Sequence, residues 1–125
     1  MSGAVCAILA SGSLLISPGP FTLAWNHSVQ HIRWEEDWRL RDGSLVMTEA
    51  RVRGTGAGME IPAGAVLRDG AWHYQPALSP QRELRLANSL HGGGYEICDG
   101  RRCHALPQDG EQVVLRACAQ DAGQP

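Results

Sequence analysis

Apolar residues in this chain recur at every second position, in short runs, from one end to the other. From Phe21 the residues Phe21, Leu23, Trp25, His27 and Val29 share one side, and Thr22, Ala24, Asn26, Ser28 and Gln30 share the other. From Trp34 the residues Trp34, Glu36, Trp38 and Leu40 fall together, while Glu35, Asp37, Arg39 and Arg41 face away. A period of two marks strands that lay one face against a core. No window sustains a period of 3.6, so very little helix is expected. The Glu-rich stretch 33–40 tolerates a helix by composition, and its alternation assigns it to a strand.

Turn residues separate the runs. A hairpin is expected over Ala4–Ala10 and Ser13–Ile16 with its turn at Ser11-Gly12, followed by a break at Ser17-Pro18-Gly19-Pro20. Strands near 21–29, 33–41 and 45–53 come next, the last two joined by Asp42-Gly43. A second hairpin crosses Asp69-Gly70 from Ala65–Arg68 into Ala71–Gln75. Strands near 83–88, 94–98, 102–106 and 112–117 complete the set. This pattern predicts an all-β fold, an antiparallel β-sandwich or small β-barrel with very little helix. One domain is expected over residues 1–120, with a flexible tail at 121–125.

The composition narrows the class without naming a function. A chain of 125 residues with 43% hydrophobic and 19% charged residues builds one modest core and is not disordered. Its formal net charge of −2 argues against a nucleic-acid binder built on a basic surface. No apolar run approaches the roughly 20 residues that span a bilayer as a helix. Met1–Ala10 has no positive leading region and only a short apolar run, so a signal peptide is not expected.

Four cysteines leave the redox compartment open. Cys98 and Cys103 flank Asp99-Gly100-Arg101-Arg102, and a two-residue turn at Gly100-Arg101 sets them opposite one another, favouring a disulfide. Cys6 and Cys118 lie in terminal segments that either meet or hold two small buried thiols. No cysteine spacing here is that of a zinc finger or a thioredoxin motif.

The candidate chemistry lies on the apolar side of the central strands. If Leu40 pairs with Leu45, Glu36 falls opposite Glu49, and if Val29 pairs with Trp34, His27 falls opposite Glu36. The expected row His27–Glu36–Glu49 is walled by Trp25, Trp34, Trp38 and Met47, with Arg51 or Arg53 as a cap. Three readings are open: a structural ion-pair network, a ligand or divalent-metal site on His27, Glu36 and Glu49, and a catalytic acid–base site. A structural row would seal its groups beneath the tryptophans, whereas a catalytic one needs a cavity. Ser28 is next to His27, but strand neighbours face opposite sides, so the two do not make a nucleophile–base pair. The loop Gly54-Thr55-Gly56-Ala57-Gly58 matches neither a phosphate-binding loop nor a dinucleotide fingerprint.

These segments also carry a likeness. The runs Phe21–Val29, Trp34–Arg39, Thr48–Val52 and Gly56–Glu60, with Asp69–Trp72, the Pro76 region and Cys98…Gly100…Cys103, are similar to the bacterial domain-of-unknown-function family 1850. The resemblance implies no established activity. It implies a gene neighbourhood with tripartite ATP-independent periplasmic (TRAP) transporters of the TAXI type, and some relatives carry an N-terminal export segment. Together with the cysteines it favours a periplasmic location. The expectation is a non-enzymatic accessory or ligand-binding module of such a transport system, with no cofactor required. A metal-dependent or acid–base enzyme using His27, Glu36 and Glu49, and a pure protein-interaction domain, are the alternatives.

Overall fold

Two hairpins are set by turns whose central residues both have positive φ. Asp42 and Gly43 have φ of 52° and 79°, and Asp69 and Gly70 have 53° and 78°. This is the type I′ backbone, whose twist matches that of the strands it joins. Glycine takes the second position freely, and aspartate is among the few side chains that tolerate the first.

The computed structural model describes residues 3–9, 12–17, 19–27, 32–53, 63–86, 94–100, 102–106 and 111–119, with backbone alone at 14–17, 27 and 119. The strands are β1 (Gly3–Leu9), β2 (Gly12–Ser17), β3 (Phe21–His27), β4 (Ile32–Arg41) and β5 (Ser44–Arg53). They continue as β6 (Val66–Arg68), β7 (Ala71–Tyr74), β8 (Glu83–Leu86), β9 (Tyr95–Cys98), β10 (Cys103–Ala105) and β11 (Val113–Ala119). No helix occurs among the described residues. The glycine loop 54–58, the loop at Gln30–His31 and the tail at 121–125 lie outside the described residues, as do Ser11, Pro18, Ser28, Val29 and Arg101.

The strands form two antiparallel sheets. One has the order β2-β1-β11-β8, and the other β10-β9-β3-β4-β5-β7-β6. Neither closes on itself, so the architecture is the sandwich and not the barrel. Val5, Ala7, Val113 and Leu115 from the small sheet meet Phe21, Leu23, Trp38, Leu45 and Ile97 from the large one. Burying side chains of this size contributes about 1.5–3 kcal/mol each. Leu45 and Gln81 exchange backbone hydrogen bonds of 2.6 and 2.8 Å, which pins the 75–82 connector to the start of β5.

Alternation placed the faces correctly on β3 and β4, but two registers differ from expectation. Trp25 pairs with Trp34 and Leu23 with Glu36, so the Val29–Trp34 register is displaced by four residues and His27 faces Ile32. On β4 and β5 the Leu40–Leu45 pair forms as expected, then the ladder skips a residue. Trp38 pairs with Met47 and Asp37 with Glu49, leaving Thr48 as the extra residue of a β-bulge. Beyond it every β5 side chain changes face relative to a regular ladder, and Ala50, not Glu49, sits opposite Glu36.

Candidate functional site

The row His27–Glu36–Glu49 is not formed by this register. His27 pairs with Ile32, four residues along β4 from Glu36, and Glu49 is carried by the bulge to the opposite face. Two groups replace the row, one on each face of the large sheet.

The outer-face group centres on Arg51. Its guanidinium grips Asp37 through two nitrogens, at 2.7 and 2.9 Å, and donates to Glu35 at 3.0 Å and Glu49 at 2.9 Å. Thr22 donates its hydroxyl to Asp37 at 2.7 Å across β3 and β4. Arg33 joins Glu35 at 3.1 Å to Glu96 at 3.0 Å, and Arg53 reaches Glu35 at 3.4 Å. On the other flank His73 Nδ1 lies 2.9 Å from Glu49 and 3.1 Å from an Arg68 nitrogen. The charges therefore interlock from β9 to β6. Their neutralisation governs proton affinity: burial alone would raise Glu35, Asp37 and Glu49. Hydrogen bonds from Arg51, with Arg33 on Glu35, Thr22 on Asp37 and His73 on Glu49, outweigh it and hold all three carboxyls below their ordinary values. Asp37 in turn holds Arg51 firmly protonated, with burial opposing and Glu35 and Glu49 assisting.

The inner-face group is aromatic. Tyr95, Trp25, Trp34, Val52, Trp72 and Leu67 follow one another across β9, β3, β4, β5, β7 and β6 in a single row of register partners. Trp25 and Trp34 stack with ring centroids 6.2 Å apart and planes 6° from parallel, and Tyr95 tilts against Trp25 at 5.6 Å. In the adjacent row Glu36 sits between Leu23 and Ala50, with Tyr74 beyond. The Trp38 indole N–H donates to Glu36 at 3.0 Å and is its one hydrogen-bond partner among the described residues. Burial pushes the Glu36 carboxyl above its ordinary value, only partly offset by that bond. Burial and then the Glu36 charge raise the Tyr74 and Tyr95 phenols.

The expected residues are thus divided. Trp25, Trp34, Trp38 and Glu36 share the inner face, Glu49 and Arg51 share the outer one, and the side chain of His27 is outside the described set. Trp38 is a core residue, only 2% exposed. Glu35, Asp37, Arg33 and His73 were not singled out by the sequence, although Glu35 and Asp37 share the polar parity of their strand and face the Arg51 segment. An open cleft of about 380 Å³ lies beside the bulge, lined by Phe21, Thr22, Asp37, Thr48 and Cys98 among others.

Both cysteine pairs are bonded. Cys98 and Cys103 are register partners on the β9–β10 hairpin, with Cα atoms 4.0 Å apart. Cys6 and Cys118 join β1 to β11 with Cα atoms 6.0 Å apart. The one group of metal-ligand type among the described residues is Glu96, Cys98 and Cys103, whose sulfurs the disulfide occupies. No helix among the described residues is long and apolar enough to cross a membrane.

Neither the curated proteins nor the solved structures contain a match to this chain. A family model described as a domain of unknown function, DUF1850, matches residues 21–106. That span runs from β3 to β10 and takes in the whole seven-stranded sheet, both site groups and the hairpin disulfide. By that match the chain belongs to the family of domains of unknown function DUF1850.

Proposed function

We propose that this chain is a non-enzymatic accessory or binding module of a TRAP transport system of the TAXI type, working in an oxidising compartment such as the periplasm. Its recognition surface is the half-buried row Tyr95, Trp25, Trp34 and Trp72, in which Trp25 and Tyr95 also pack against the core, with Glu36 as the polar anchor beside it. The observation that carries this reading is the separation of the charges from the aromatic row. The outer-face carboxylates are each engaged by arginine. Glu36 has neither an imidazole nor a second carboxyl within hydrogen-bond distance among the described residues. Recognition needs an aromatic surface with a few placed polar groups. The link to a transport system rests on the family resemblance, and two disulfides suit an oxidising compartment.

The test is retention of purified TAXI-type solute-binding protein, or of the detergent-solubilised membrane subunits, by the immobilised oxidised chain. Retention of at least one is expected, and Trp34→Ala and Glu36→Gln should each lose it while the β-sheet circular dichroism is unchanged. A folded chain that retains none of the transport proteins overturns the reading.

A further inference from the structure

The β9–β10 hairpin holds chemistry that the binding reading leaves unused. Glu96 lies two residues before Cys98 on the same face of β9, and Cys98 is the register partner of Cys103. A Glu96 oxygen and the two sulfurs lie within 4.8 Å of one another. Cys103 is exposed and the Glu96 side chain is 39% exposed, so reagents and ions in solvent reach both. β10 is the last strand of its sheet, which leaves one side of the hairpin open. His104 sits opposite the buried Ile97 and belongs to the other face, so the donor set is two sulfurs and one carboxylate.

The hairpin does not depend on its disulfide for shape. The Asp99 N–H donates to Arg102 O at 3.1 Å, the Leu106 N–H donates to Tyr95 O at 2.9 Å, and β9 is paired along its length to β3. Opening the bond therefore leaves two thiols facing each other. The Cα atoms are 4.0 Å apart, and rotation of each side chain about its Cα–Cβ bond lets the freed sulfurs separate without moving the backbone. A tetrahedral zinc ion with bonds of about 2.0–2.3 Å sets its ligand atoms roughly 3.3–3.8 Å apart, inside the spacing available here.

We propose that the dithiol form of this hairpin binds a thiophilic divalent cation of the zinc class through Cys98, Cys103 and Glu96, and that oxidation to the disulfide closes the site. The reductant is a dithiol. Its thiolate attacks the exposed Cys103 sulfur, the S–S bond breaks, and Cys98 leaves as a thiolate that takes up a proton. The second thiol of the reductant resolves the mixed disulfide, so the reductant departs as a cyclic disulfide and two electrons rest on the cysteines. The cation then displaces both thiol protons, and Glu96 supplies the third ligand, leaving the fourth position to water. Arg33 competes for this site, because its Nη2 is 3.0 Å from the same carboxylate.

The full chain is reduced with dithiothreitol, its free thiols are mapped by alkylation and mass spectrometry, and zinc is titrated against a chromophoric chelator. Cobalt serves as a spectroscopic probe. One zinc per chain is expected after Cys98 and Cys103 are reduced, with a thiolate-to-cobalt charge-transfer band, and none in the oxidised chain. Glu96→Gln should weaken zinc by about tenfold or more with the cobalt band retained. Arg33→Gln, which frees the carboxylate, should tighten it. Because the hairpin keeps its own hydrogen bonds without the disulfide, Cys98→Ser/Cys103→Ser remains a folded control. A reduced, folded chain that holds no zinc overturns the proposal. So does equal zinc binding by that double variant, or by Glu96→Gln.

Discussion

At the scale of single residues, Arg51 and Glu36 are opposite solutions to placing charge on a sheet. Arg51 is 16% exposed and satisfies Glu35, Asp37 and Glu49 together. Removing it leaves three half-buried carboxylates facing one another. Arg51→Met should cost about 2 kcal/mol, below the roughly 3–5 of a fully buried pair because water still reaches Asp37 and Glu49. Carboxyls held below their unfolded values stabilise the fold above those values and lose that contribution as pH falls through the folded ones. Wild-type stability should therefore decline below about pH 4, and the Arg51→Met decline should be shallower, as urea titrations across pH would show. Glu36 has the reverse sign. Its folded-state value lies above the unfolded one, so the fold binds its proton more tightly and loses stability as pH rises from 4.5 through the folded value. Glu36→Gln keeps an oxygen to accept from Trp38 and removes the charge. It should stabilise the chain by ~1 kcal/mol at pH 7, a figure already reduced for residual solvent, and by nothing below pH 4. A Glu36→Gln chain less stable than wild type at pH 7 would contradict the burial argument.

At the scale of strands and turns, what was legible in the sequence was what is local. Alternation assigns Phe21, Leu23 and Trp25 to one face whatever their partners are, and Asp42-Gly43 and Asp69-Gly70 fix two turns by their own backbone preferences. Since no heavy atom lies within 4 Å of a Cβ built at Gly43, and φ there is 79°, Gly43→Ala should cost about 1–2 kcal/mol from backbone strain alone. An unchanged denaturation midpoint would show that the turn adopts another type. Register is not local. It depends on which cross-strand pairs pack, here Trp25 on Trp34 and Phe21 opposite Trp38, and on a single inserted residue. The bulge did leave a trace: the buried or core-facing positions of β5 run Leu45, Met47, then Ala50, Val52, a change of phase across Thr48. Following that phase sends Glu49 and Arg51 outward together, to Asp37 and Glu35. Strict alternation through Thr48 is what set Glu49 opposite Glu36 in the expected row, and the Val29–Trp34 register is what set His27 there.

At the scale of the whole molecule, the family match covers β3 to β10, yet the core needs strands outside it. Val5 and Ala7 from β1 and Val113 and Leu115 from β11 cover the large sheet, and β11 returns late in the chain to lie between β1 and β8. The two disulfides act at different levels of this topology. Cys6–Cys118 closes a loop of 112 residues and ties the first strand to the last. Cys98–Cys103 closes one of five residues inside a hairpin that already has its own hydrogen bonds. If a disulfide stabilises by limiting the unfolded chain, the long loop is worth about 5 kcal/mol and the short one about 2. Cys6→Ser/Cys118→Ser should therefore lower unfolding free energy in guanidinium by more than twice as much as Cys98→Ser/Cys103→Ser, with the m-value of the former changed because its unfolded state expands. Equal losses would mean that native contacts at the sulfurs outweigh loop closure. The small cost expected for the hairpin pair is also what allows its bond to open while the sandwich stays folded.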